Sequence, residues 1–410
     1  MVIWPTLMTT MAITSARRLG FVSALRASGA AAPFFASLIG RLPMGAIGLV
    51  FILRTHEITG SFAAGGLATG AYALSLGLVA PGLGRLIDVR GQTRILLGAS
   101  ALQAGALTGF SVLPGDAALP VIIALAAVTG ASQPPLGATV RSLWNRDLDD
   151  ATRHVLFTGE SAVLEGIYIA GPVLIVAGIG GLLSIPAAAL ACAAFTLIGT
   201  TMFVLTPASR AWRPERGRAR GLAGALASPG VRTLLVTMGV LGIGVGMIEV
   251  AVPALCQRAG SPSSTGFVFG LWGLGSLIGG AVASRLNAGP DPGRRVIVLL
   301  AGLAGGTLPL VFASDVASLA ALIFLAGIAI APALAAVHSL AGRLATRGTI
   351  TEAYTWLGTG MGAGIAIGAA LGGAVVEGSG TQWAFALSAT ALGVAAAVAG
   401  TRRASLRPVA

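Results

Sequence analysis

The sequence predicts an all-α polytopic membrane protein: twelve transmembrane helices in two pseudo-symmetric six-helix bundles, with the N- and C-termini cytoplasmic. Three observations lead there. Hydrophobic residues make up 55% of the 410-residue chain, charged residues only 10%, and the mean hydropathy is +0.88, whereas a soluble domain carries about 25% charged residues. Apolar runs long enough to span a bilayer, about 20 residues each, recur along the whole chain. Arginine, used here to the exclusion of lysine, collects in every second segment between those runs, and such a bias sets orientation in a bilayer.

In order, the runs predict helices at 31–53, 62–84, 95–113, 119–141, 156–179 and 182–205, then at 233–256, 264–286, 296–313, 317–340, 353–376 and 382–400. The expected organisation is a cytoplasmic tail (1–28), a first bundle (29–206), a cytoplasmic central loop (207–232), a second bundle (233–401) and a second tail (402–410). The opening residues are apolar, but Arg17, Arg18 and Arg26 follow them, the reverse of a secretory signal. Loop charges test the count, because one helix more or less would scramble them. The inside segments hold Arg85, Arg90 and Arg94, then Arg141, Arg146 and Arg153, then six arginines from Arg210 to Arg232, while the outside loops hold only Arg54 and Arg258. A weak internal repeat agrees: Gln133–Leu143 in helix 4 aligns with Ile330–Leu340 in helix 10, Pro135 with Pro332 and Arg141 with His338 at one common offset. Such repeats build many transporter folds.

Composition excludes several classes. The net charge of +12 sits at the membrane faces, so nucleic acid is not an expected partner; the lipid bilayer is. Cys192 and Cys256 lie in apolar runs without metal-ligand spacing, and read as small buried hydrophobes. His56, His154 and His338 are scattered, and neither a nucleophile triad nor a GxxxxGK[ST] loop is present, so an enzyme is not expected and no metal site is. A receptor or scaffold would usually need a folded soluble region, and no loop is long enough to hold one.

The charged stretch Gly84–Arg94, with three arginines and an aspartate, is expected to form a tight loop at one membrane face, since it cannot lie in hydrocarbon. Its Gly84-x-Leu86-x-Asp88-x-x-Gly91 pattern followed by Arg94 resembles the signature between helices 2 and 3 of the major facilitator superfamily. Gln92 and Thr93 stand where the family usually has basic residues. The resemblance covers residues 29 to 401 and implies alternating access between two bundles. It also implies that Asp88 meets the start of helix 11 near Thr351 and Glu352, closing the cytoplasmic side in one state; the arginines serve that gate or topology alone. In helix 5, Gly166–Pro172 with Gly171 and Pro172 is similar to the glycine-proline motif of drug/proton antiporters of that superfamily, although the same residues serve as ordinary packing devices.

Ionisable residues inside spans cost about 2.5–3.5 kcal/mol each, which makes Arg41, Glu160, Glu165, Glu249 and His338 functional candidates. Counting a rise of 1.5 Å per residue puts Arg41 roughly 15 Å and Glu165 roughly 14 Å into their helices. That depth predicts the pairs Arg41 with Glu165 and Arg141 with Glu160. Each is either a static lock or a carboxylate that exchanges its arginine for a proton. Glu249 either lines the cavity, where it would take a cation or a proton, or turns to outer water. His338 is an interfacial residue or a relay. Helices 1, 4, 7 and 10 line the cavity in the family, with Met44, Gln133, Met247 and His338 as candidates here. A wall so apolar suits a hydrophobic or amphipathic molecule. The expectation is therefore proton-coupled efflux of a small molecule, with uptake of a small metabolite as the alternative. The proton gradient is the energy source and no cofactor is implied. A monomer in the cell membrane, of bacterial origin given the arginine, alanine and glycine usage, completes the expectation.

Overall fold

The computed structural model describes residues 21–148, 150–212, 224–285, 291–346 and 349–407, and the regular elements among them are all helical. After a short helix at Phe21–Ala27, the first half comprises α1 (Ala31–Thr59, with a 3-10 turn at Leu42–Gly45), α2 (Phe62–Arg90) and α3 (Gln92–Ser111). It continues with α4 (Leu119–Ala131 and Leu136–Asp147), α5 (Asp150–Gly171, running on as a π-helix over Pro172–Gly180) and α6 (Ile185–Leu205). The second half comprises α7 (Pro229–Arg258), α8 (Ser264–Arg285), α9 (Pro292–Thr307), α10 (Val316–Gly327 and Ile330–Leu344), α11 (Ile350–Gly378) and α12 (Thr381–Thr401). Ten of these segments are long and apolar enough to cross a membrane. The other two rods are α3, whose first turn carries Arg94, and α5, whose apolar stretch is confined to Gly166–Gly180.

The structure corrects the expected loop at Gly84–Arg94. α2 stays helical through Arg90 and α3 starts at Gln92, so the turn is made by Gly91 alone, at φ +93°. Hydrocarbon limits where the apolar residues end, but the backbone hydrogen bonds continue into water until a residue free to take positive φ stops them. α7 and α11 likewise overrun their apolar runs at both ends, with Ser228 capping the start of α7 and the positive-φ residues Gly260 and Gly380 just past the two C-termini.

Each half repeats the same neighbours. α1 packs on α6 as α7 does on α12, α2 on α4 as α8 on α10, and α3 on α6 as α9 on α12. The start of the third helix of each half is tied to the segment after its sixth. Gln92 Nε2, buried, donates to Ser209 O (2.9 Å) and Ser209 Oγ (2.8 Å), and Asp291 caps α9 at Arg294 N while pairing with Arg403. Those contacts hold the Asp291 carboxyl below the usual carboxylate range, the Arg294 N–H first and Arg403 after it.

The halves meet along two seams, α2 with α11 and α5 with α8. Both are lined by glycine where the backbones touch. A Cβ on Gly66 would come within 2.1 Å of Ala369 O, and one on Gly266 within 2.3 Å of Pro172 O. The α2–α11 seam then opens toward the arginine-rich end: the corresponding approach is 2.8 Å at Gly70 and 3.8 Å at Gly77, and no atom lies within 4 Å of such a Cβ at Gly84 on the same face of α2. The buried core follows suit. One cluster, including Phe51, Phe110, Ile248 and Phe385, runs through both halves at the far end. At the arginine-rich end it divides in two, one cluster around Phe34 and Trp144 and another around Leu234 and Leu300. The molecule is closed at the far end and parted at the arginine-rich end.

Candidate functional site

α1 loosens at Leu42–Gly45, where Pro43 lacks the N–H that a regular helix would use. Arg41 ends the regular turn before it and is buried, 5% exposed. Its Nη1 donates to Glu160 Oε1 at 2.7 Å, and Arg141 Nε donates to the other oxygen, Oε2, at 2.6 Å. One carboxylate, itself 0% exposed, thus holds guanidiniums from α1 and α4 against α5. Gly137 leaves room for this, since a Cβ there would sit 3.2 Å from Arg41 Cζ. The two arginines differ in setting: the Arg41 side chain is 6% exposed and that of Arg141 is 44% exposed. Charge-assisted bonds of this length are the strong kind, and the cluster is exposed on the Arg141 side.

The expected pair Arg141 with Glu160 is present. Arg41 also reaches Glu160, and the side chain of Glu165, its expected partner, lies outside the described residues. The physical reason for Glu160 is side-chain reach. α1 and α5 meet where Leu42 and Gly45 face Gly171 and Tyr168, so Glu160 lies nearer the arginine-rich end than the Arg41 backbone does, and the long Arg41 side chain, directed back along α1, spans the difference.

The glycine-proline motif lies about three turns further along α5 than Glu160 and meets α1 just beyond Arg41. A Cβ on Gly171 would come 2.7 Å from Leu42 O, and one on Gly45 would come 3.2 Å from Pro172 Cδ, so the motif seats α5 on the 3-10 turn of α1. Pro172 opens the π-helix, and its carbonyl faces Gly266 of α8. Gly171 and Pro172 therefore stand where both α1 and the opposite half converge.

The remaining candidates fall at several places. Gln133, in the break of α4, is 8% exposed and accepts from Tyr72 Oη (2.7 Å) and Gln103 Nε2 (3.4 Å), tying α2, α3 and α4 together. Met247 is buried, and a Cβ on Gly372 of α11 would lie 3.0 Å from its Cα. Met44 is half-buried. Glu249 is half-buried with Oε2 4.0 Å from where a Cβ on Gly48 would stand, and among the described residues no hydrogen bond or ion pair reaches it. His338 Nδ1 bonds Leu334 O at 2.8 Å, and its ring lies 5.9 Å from that of Tyr354. At the signature turn Arg94 is exposed, Gly84 faces open space, Gly91 makes the turn, and the Asp88 side chain lies outside the described residues.

Sequence reasoning missed two buried polar networks and one contact between halves. Gln92 and the Tyr72–Gln103 pair carry no charge, and uncharged polar residues are common enough in spans to go unmarked. Glu377 accepts a hydrogen bond from Ala63 N at 3.0 Å, joining α11 to α2; it lies just past the apolar run, which ends at 376. An acidic residue one position beyond an apolar run, before Gly378-Ser379-Gly380, was the available signal.

Residues 234–408 match the family described as Major Facilitator Superfamily. No curated protein matches the chain at a significant level. Among solved structures, an auto inhibited POT family peptide transporter superposes with a TM-score of 0.71 at 13% identity, over 92% of this chain and 97% of that one. A bacterial homolog of the human lysosomal transporter Spinster, in an inward-facing and occupied conformation, gives 0.70 at 12% identity, over 93% and 97%. The chain therefore has the fold of these two proteins, and its second half carries the sequence pattern of the Major Facilitator Superfamily.

Proposed function

We propose that the protein is a proton-coupled secondary transporter that exports a small hydrophobic or amphipathic molecule across the cell membrane, by alternating access between its two halves. In this reading the chain crosses twelve times as a monomer, with the arginine-rich end and both termini in the cytoplasm. One observation carries it: a fully buried carboxylate, Glu160, holding two arginines from α1 and α4 on the same helix whose Gly171 and Pro172 meet both α1 and the other half. A buried ion pair is weak evidence of stability for its own sake, and charged groups at such depth mark coupling pathways. When the halves rock, α1 and α5 shift against each other, and Glu160 exchanges one guanidinium for a proton that enters from the far end, with the exposed flank of Arg141 as its exit to the arginine-rich side. The carboxylate is then neutral while the far end is open, and releases the proton when the arginines return. The space between the halves, with half-buried Met44, exposed Tyr168 and, next to the closed end, Glu249, supplies the substrate path. Export rather than uptake rests on the helix 5 motif and this apolar path. A peptide transporter and a transporter homolog share the fold, which supports transport as the activity.

The test is Glu160→Gln in inverted membrane vesicles loaded with a fluorescent lipophilic cation. Proton-driven transport is expected to disappear while exchange of labelled for unlabelled substrate persists, because the amide keeps the shape but takes no proton. Proton-driven transport at the native rate would remove Glu160 from the mechanism, and Glu165→Gln then becomes the variant that carries the same test.

A further inference from the structure

The first N–H groups of a helix have no partner within it. At the start of α2, Ser61 Oγ serves Ala64 N at 3.0 Å and Ser61 O serves Gly65 N. The N–H of Ala63 is served by Glu377, a carboxylate from the last turn of α11. The helix cap of one half is thus supplied by the other half. A carboxylate at a helix N-terminus is also favoured by the helix dipole.

The surroundings hold Glu377 in place. Arg258 at the end of α7 donates from Nη2 to Val376 O at 3.0 Å, fixing the last turn of α11. His56 of α1 stacks on Phe62, the first residue of α2, with ring centroids 3.9 Å apart. Arg54 pairs with Glu57 and donates to Leu113 O, so it does not compete for Glu377. One turn below, a Cβ on Gly373 would fall 2.6 Å from Ala63 Cα, so the two backbones are already in contact.

From this geometry we propose that Glu377 is the latch of the far end: its bond to the start of α2 exists only while the two halves are together there, and it must break each time that end opens. This rests on the alternating-access reading above. Glu377 is a positioning residue, acting on the balance between the two states and touching no substrate. Because the bond is charge-assisted and exposed, water can replace it at modest cost, which is what a contact remade in every cycle requires.

The test reads conformation directly, in purified protein reconstituted in lipid, with two cysteine reporters made singly. Ala369→Cys lies in the closed part of the seam, where the native residue is 0% exposed. Thr355→Cys lies one turn inward of Thr359, where the native residue is exposed. Native Cys192 and Cys256 are both buried and serve as the background. With Glu377→Gln or Glu377→Ala, labelling of the A369C reporter by a bulky maleimide is expected to rise several-fold while labelling of T355C falls. Glu377→Asp should restore part of the native pattern. A merely loosened protein would raise both rates together, and that result, or no change in either, would overturn the latch. Ala366→Cys is the substitute reporter should A369C fail to fold. Labelling requires no transport, so loss of the latch and loss of the transport reading are separate results.

Discussion

Glu160 is the residue at which charge and burial conflict most strongly, and the two arginines it holds are not equivalent. Arg41 is buried with it, so removing the carboxylate leaves a guanidinium without water or a counter-charge, a loss that typically costs about 3–5 kcal/mol. Arg141 has a side chain 44% exposed, and losing an ion pair to an arginine with that much water costs about 1 kcal/mol or less. We expect Glu160→Ala to lower the thermal midpoint in detergent sharply and Arg141→Ala to leave it nearly unchanged; equal losses would mean that water does not reach the cluster from the Arg141 side. The charges themselves were legible in the sequence, since an ionisable residue in an apolar run stands out. Their pairing was only half legible. Depth counted from a helix start says nothing of where two helices cross or how far an arginine side chain reaches, and those two facts bring Arg41 to Glu160. Residues such as Gln92, which ties α3 to Ser209 without any charge, leave no comparable mark.

Among elements, α2 and α8 carry the glycines that let the halves touch, and their positions divide into two kinds. Gly66 has the carbonyl of Ala369 directly against it, whereas Gly84 on the same helix has open space around it. A side chain at Gly66 must push α2 and α11 apart, and overpacking of this sort costs about 1–3 kcal/mol; a side chain at Gly84 costs nothing in the state described. We expect Gly66→Val to favour the state with the far end open, read as faster labelling of the A369C reporter. Gly84→Val should leave the labelling pattern and thermal midpoint native but slow transport, because its crowding is felt only when the arginine-rich end closes. A destabilised Gly84→Val would show that α2 is packed there already. The helices themselves were readable from apolar runs, but their ends were not. The hydrocarbon slab sets the length of a run, while capping sets the length of a helix, as Gly91 does for α2 and Asp291 for α9.

For the whole molecule, the divided core and the widening seam describe one of two states, and the register of the seam implies the other. α2 and α11 run antiparallel, with Gly70 facing Ala366 and Gly77 facing Thr359. Carrying that register inward brings Gly84 opposite Glu352, one of whose carboxylate oxygens is buried and finds no hydrogen-bond partner among the described residues. If the halves rock as rigid bodies, contacts at the two ends of this seam exclude each other. Disulfides test the exclusion, because they form only where Cα atoms come within about 7 Å. Gly70→Cys with Ala366→Cys should cross-link readily, since a Cβ on Gly70 lies 3.4 Å from Ala366 Cα. That cross-link should abolish transport until a reductant is added. Gly84→Cys with Glu352→Cys should cross-link slowly in the native protein and faster in the Gly66→Val background, where the far end is held apart. Fast cross-linking of both pairs in one population, with transport intact, would mean that the seam flexes locally and that the two halves do not move as units.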